Sequence, residues 1–181
     1  GYRSSLANYK SIIEKVFALV VCDDRLIFSN AAVSAGLISA NENAFDVIFP
    51  QLVQKTINDP DHISTWLLAI SKCLKRIQRN PFDKAKCFNY NQLFDYLVSK
   101  ADYTKETELT FVECFASLLS ISPSLSPLYF NHIRSTNNAS PLLSRALSEF
   151  VLNCDKASDV EVILKNLMSF LSAKNPLICY G

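Results

Sequence analysis

Apolar residues recur three and four positions apart along almost the whole chain, and nowhere do they alternate cleanly with period two over a useful length. The first stripe, Leu6, Tyr9, Ile12, Ile13, Val16, Phe17 and Val20, is the pattern of a helix that buries one face. A shorter helix is predicted over 26–35, ending at Gly36 as a C-cap. Phe45, Ile48, Phe49, Leu52, Val53 and Ile57 predict a third, with a kink or break at Pro50, where proline removes a hydrogen bond and clashes with the preceding turn.

Asp59-Pro60 reads as a helix start: the carboxylate would accept hydrogen bonds from free amides, and proline's missing N–H costs nothing at the first position. From there Ile63, Trp66, Leu67, Ile70, Cys73, Leu74 and Ile77 form the cleanest stripe in the chain, stopping before Asn80-Pro81. Tyr90, Leu93, Phe94, Leu97, Val98 and Ala101 predict a fifth helix. A sixth follows Thr104, with Leu109, Val112, Phe115, Ala116 and Leu119 inward and Glu106 and Glu108 near the positive end of the helix dipole. Ser126-Pro127 and Ser140-Pro141 open a seventh and an eighth, the latter burying Leu143, Ala146, Leu147, Phe150, Val151 and Cys154. Ser158 to Glu161 is a capping box that opens the last helix, with Val160, Ile163, Leu164, Leu167, Met168 and Leu171 inward.

The expectation is an all-α chain of about nine helices over residues 1–181, in a single domain. Short links favour antiparallel pairing of neighbours. Broad apolar faces and paired units spaced about 40 residues apart resemble the helical repeats of the HEAT and armadillo α-solenoids, with Asp59-Pro60 and Ser140-Pro141 as helix openers. The resemblance lies in helix length and spacing over most of the chain, without a repeated residue signature. It implies antiparallel pairs stacked into a solenoid; a closed globular bundle is the alternative.

Composition narrows the function. With 49% apolar and 19% charged residues the chain lies far from the disordered regime. Only three glycines argue against β-sandwich turns and phosphate-cradling loops. Gly1 stands where a start methionine would, so the chain reads as a fragment of a longer protein. No apolar run approaches the roughly 20 residues of a membrane span, and nothing resembles a signal peptide. The six cysteines, Cys22, Cys73, Cys87, Cys114, Cys154 and Cys179, show no CxxC framework, and most fall on apolar helical faces. They read as reduced thiols and place the protein inside the cell, in nucleus or cytoplasm. The sequon at Asn138 precedes Pro141 at a helix start and is not read as a glycosylation site.

Candidate chemistry is sparse. His62 and His132 lack cysteine or carboxylate companions at metal-ligand spacing and are expected at the surface. Asp23-Asp24 is expected to cap the second helix, while Asp102, Glu106, Glu108 and Glu113 suit the opening turns of the sixth. No GxSxG, GxGxxG, Walker A or HExxH motif occurs, so no enzyme, metal, cofactor or small-molecule substrate is indicated. Ser122-Pro123, Ser126-Pro127 and Ser140-Pro141 fit the proline-directed phosphorylation pattern but serve equally as helix starts. The twelve Phe and seven Tyr fall mostly on inward stripes.

Charge, in contrast, is sorted. Residues 61–100 hold seven cations against three carboxylates, a net +4 inside a chain whose total is +1. Lys72, Lys75, Arg76 and Arg79 occupy positions i, i+3, i+4 and i+7 of one helix, and Lys84 and Lys86 extend the stripe into a loop interleaved with Phe82, Phe88 and Tyr90. Such a stripe suits an acidic protein partner, or nucleic acid through phosphate contacts and base stacking. It also suits a solvated helix end whose dipole favours cations. These six residues are the candidate partner-binding site. The leading functional expectation is a non-enzymatic scaffold or complex subunit docking other proteins. So few charges imply that another chain, or the rest of its own, covers some apolar area. A nucleic-acid-associated module using 72–86 is the alternative, and an enzyme with an unfamiliar all-α site the third.

Overall fold

The computed structural model describes residues 2–99, 108–136, 141–152, 160–161, 164–165 and 168. Among them nine α-helices and no strand occur: α1 (Tyr2–Val20), α2 (Arg25–Ser39), α3 (Phe45–Asn58), α4 (Ile63–Arg79), α5 (Asp83–Cys87), α6 (Asn91–Ser99), α7 (Glu108–Ile121), α8 (Ser126–Thr136) and α9 (Pro141–Leu152). The all-α expectation holds. Ser158, the sequon at Asn138, and Cys154 and Cys179 lie outside the described residues; of the last predicted helix, 160–161, 164–165 and 168 are helical, with Leu164 and Met168 exposed where the stripe placed them inward. The chain forms two compact units, Gly1–Asn89 and Tyr90–Gly181.

In the first unit α4 is the central helix. Nine of its residues are buried, among them Trp66, Leu67, Ile70, Cys73, Leu74 and Ile77, because three helices cover it. Its longest interface is with α2, while α3 packs along another side. Phe17 of α1 meets the Trp66 ring edge-on, with centroids 5.6 Å apart. Gly36 shows why α2 and α4 lie so close. It is buried within the last turn of α2 rather than capping its end, and a β-carbon there would stand 2.3 Å from the carbonyl oxygen of Ala69. The helix continues to Ser39, since a glycine needed for close approach gives no reason to stop.

Two other local expectations change. Helix α3 runs unbroken through Pro50. Asp59 does not cap α4 with its side chain; it ends α3, and a single 3-10 turn, Pro60–His62, leads into α4. Asp24, in contrast, caps α2 as expected, its carboxylate accepting from the amides of Leu26 and Ile27 at 2.9 and 3.1 Å. Buried hydroxyls are satisfied locally: Ser39 donates to the Ala35 carbonyl and Thr56 to the Leu52 carbonyl.

Helix α5 occupies the stretch expected as a loop. It sits on α3 through rings: Phe82 and Phe88 meet Phe45 edge-on at 5.3 and 5.5 Å, and Phe88 meets Phe49 at 5.2 Å. Phe45 and Phe49 stack on one another, so each ring offers an edge or a face where its neighbour needs one.

In the second unit α7 is the most buried helix, with Phe111, Val112, Cys114, Phe115, Ala116, Ser117, Leu118 and Leu119 inside. It packs along α9 and touches α6, and Phe115 joins Phe94, Phe111 and Tyr129 in an aromatic cluster. Tyr129 and Cys114 are enclosed, and burial pushes both the phenol and the thiol far above their ordinary values; for Cys114 the neighbouring Glu113 adds to the effect. An exposed ion pair, Arg145 to Glu108 at 3.0 Å, links α9 to the start of α7.

Candidate interaction surfaces

The basic stripe lies on the less buried side of α4, bordering α2. Arg76 and Arg79 are exposed, Lys72 and Lys75 half-buried. Lys72 marks the edge of the stripe nearest α2, its β-carbon lying beside Gly36. No described carboxylate comes within ion-pair distance of Lys72, Arg76 or Arg79. Arg76 and Arg79 sit in the last turn of the helix, where the dipole favours positive charge.

The extension of that stripe is already engaged. Lys84 pairs with Asp46 of α3 at 2.8 Å, and Lys86 with Asp83 within α5 at 3.6 Å. The aromatic groups between them belong to the packing. Phe82 and Phe88 close on the α3 rings, and Tyr90 is 1% exposed. The six predicted residues therefore divide into four cations on α4, Lys84 joining α5 to α3, and Lys86 paired within α5 itself.

A second surface, missed in the sequence, lies between α1 and α2. These helices are joined by residues 21–24, and a groove of about 390 Å³ runs between them, lined by Val16, Leu19, Leu26, Ile27, Asn30, Ala31 and Ser34. Leu26 is 76% exposed, and Ile12, Leu19, Ile27 and Leu37 lie between 46% and 51%. Beyond Arg25, helix α2 carries no charged residue at all, yet its outward side is Leu26, Ile27, Asn30, Ser34 and Leu37. The signal available beforehand was that run of fourteen uncharged residues from Leu26 to Ser39. Helical periodicity alone cannot tell a covered apolar face from an open one.

A third cluster joins the end of α3 to α4. The Asp59 carboxylate accepts from the indole N–H of Trp66 at 2.9 Å and lies 2.9 Å from Nδ1 of His62. Burial works against its charge, but the hydrogen bonds from Trp66 and His62 and the coulombic pull of His62 outweigh it and hold the carboxyl below its ordinary value. Trp66 is 1% exposed, so its N–H needs an acceptor inside the protein. The cluster is thereby explained as the satisfaction of a buried donor.

His62 is half-buried at this turn, and His132 is half-buried on α8. Among the described residues no three of His, Cys, Asp and Glu gather as metal ligands. Of the described cysteines, Cys73 and Cys114 are buried, Cys22 is half-buried and Cys87 is exposed, all four as free thiols. No single described helix is long and apolar enough to cross a membrane. Comparison of the chain with protein-family models, with curated proteins and with solved structures gives no match.

Proposed function

We propose that the chain is a protein-docking module, a scaffold element or complex subunit that works by presenting helical surface rather than by catalysis. The observation that carries this reading is the outward face of α2, where Leu26, Ile27 and Leu37 stand open to solvent and Arg25 at the first position is the one charged residue of the helix. An apolar face of several side chains normally lies against another surface, because each exposed methylene costs about 0.8 kcal/mol relative to burial. The groove beside it has apolar walls that suit a helix: Val16 and Leu19 on α1, and Leu26, Ile27 and, further along the same helix, the small residues Ala31 and Ser34 on α2.

The cationic face of α4 is the second contact surface in this reading. Lys72, Lys75, Arg76 and Arg79 offer four positive charges to an acidic rim, where charge sets the rate and orientation of approach more than affinity.

Affinity purification of the intact chain, alone and as two variants, tests the proposal. Leu26→Asp/Ile27→Asp removes the apolar face, and Lys75→Glu/Arg76→Glu/Arg79→Glu reverses the basic one. The expected result is partners that are lost with the first variant and recovered more slowly or weakly with the second. Partners indifferent to both changes would overturn it.

A further inference from the structure

Resting on that docking reading, we infer that the occupant of the α1–α2 groove is the same groove of a second copy, so that two hairpins close into a four-helix bundle. Three features point to a copy of this chain.

Charge is the first. Between residues 9 and 39 the hairpin carries Lys10, Lys15 and Arg25 against Glu14, Asp23 and Asp24, which cancel. Two such hairpins approach without net repulsion, whereas the basic face of α4 repels its own copy. Within the groove itself there is no charge to attract or exclude a charged peptide.

Shape is the second. Leu26 and Ile27 project near one end of α2, and Ala31 and Ser34, one to two turns further along the same helix, leave the hollow. A two-fold axis across the middle of the groove sets the knobs of each copy over the hollow of the other, the self-complementary arrangement of an isologous dimer. Asn30 falls between knob and hollow. Its Nδ2 donates to the Leu26 carbonyl at 2.9 Å, which leaves the amide oxygen as a polar group at the centre of an otherwise apolar seam. One such residue is the common device for fixing the register of paired helices.

Area is the third. Ile12, Leu19, Leu26, Ile27 and Leu37 leave on the order of 500 Å² of apolar surface open per copy, hence about 1,000 Å² over the pair, the lower bound for a specific interface.

The test is the solution mass of the intact chain by sedimentation velocity across a concentration series, with the two variants named above. The wild type is expected to move from 20.3 kDa to twice that mass as concentration rises. Leu26→Asp/Ile27→Asp should raise the dissociation constant at least 100-fold with unchanged far-ultraviolet circular dichroism, and Asn30→Leu should change the stoichiometry or its homogeneity. The basic-face variant should dimerise as well as the wild type or better. A wild type that stays at 20.3 kDa throughout overturns self-association, as does a Leu26→Asp/Ile27→Asp variant that keeps the doubled mass. If that monomeric wild type still holds a partner protein through Leu26 and Ile27, the docking reading stands without the dimer; if it holds none, both fall.

Discussion

The carbonyl oxygen of Ala69 occupies the place where a side chain at residue 36 would begin: a β-carbon on Gly36 would lie 2.3 Å from it and 2.9 Å from the β-carbon of Lys72. Both neighbours are fixed parts of α4 and cannot swing aside. Gly36→Ala therefore has to push α2 off α4, the longest interface of the first unit. Alanine favours a helix interior over glycine by about 1 kcal/mol, which offsets part of the overpacking cost. The expected net result is a loss of about 1–3 kcal/mol, read as a lower urea midpoint with an unchanged slope. A neutral or stabilising Gly36→Ala would mean that the helices are not in this contact.

Trp66 and Asp59 form a second coupled pair. Asp59→Ala leaves a buried indole N–H without its acceptor and is expected to cost about 1–3 kcal/mol. Trp66→Phe removes the donor too, so the double variant should lose less than the sum of the two single ones. Trp66 is the only tryptophan in the chain, and its fluorescence follows the unfolding of this region directly.

The same carboxylate makes stability pH-dependent in a defined direction. In the folded protein Asp59 titrates below its ordinary value of 3.8, so the unfolded chain binds its proton first as the solution is acidified. The contribution is fully present above that ordinary value and disappears as pH falls through the lower folded one. Urea midpoints measured from pH 6 down to pH 3 should fall less steeply in Asp59→Asn than in the wild type. Equal slopes would remove Asp59 from the acid response.

Charge reversal on α4 should separate binding from folding. Arg76 and Arg79 are exposed, and their contribution to stability is the interaction with the helix C-terminus, about 0.3–1 kcal/mol each at low salt. Arg76→Glu/Arg79→Glu is expected to retain its helical circular dichroism and to lower stability by about 1 kcal/mol, an effect that shrinks with added salt.

Thiol labelling reads the burial pattern residue by residue. Cys87 is exposed and should react first with an alkylating reagent, Cys22 next, and Cys73 and Cys114 only as the protein unfolds. For Cys114 burial also keeps the thiol protonated. Peptide-level mass spectrometry at native and denaturing urea concentrations gives the order, and early labelling of Cys73 would contradict its place between α4 and its neighbours.

Much of this architecture was legible in the sequence because it depends on local chemistry. The apolar stripe of 63–77 became the buried face of α4, Asp24 capped α2, and the four basic positions from Lys72 to Arg79 fell on one exposed side. Each follows from helical periodicity or from a cap two or three residues away. The sequence by itself thus determined the all-α class and most of the inward faces, while Ile12, Leu109, Leu164 and Met168, placed on those stripes, stand exposed.

What only the tertiary structure decided concerns neighbours distant along the chain. Gly36 looked like a helix end because glycine often is one; the passage of α4 beside it turned it into a point of contact. Asp59 looked like a cap until Trp66, seven residues on, supplied a buried donor that needed it more. Lys84 read as a cation in a loop, but Asp46 pairs with it once Phe82 and Phe88 draw α5 onto α3. The helix that begins near Leu26 was predicted without an inward face, and the fold leaves Leu26 and Ile27 uncovered. Periodicity fixes which side of a helix is apolar, whereas burial also depends on whether another element reaches that side, and this is settled only by how the helices pack.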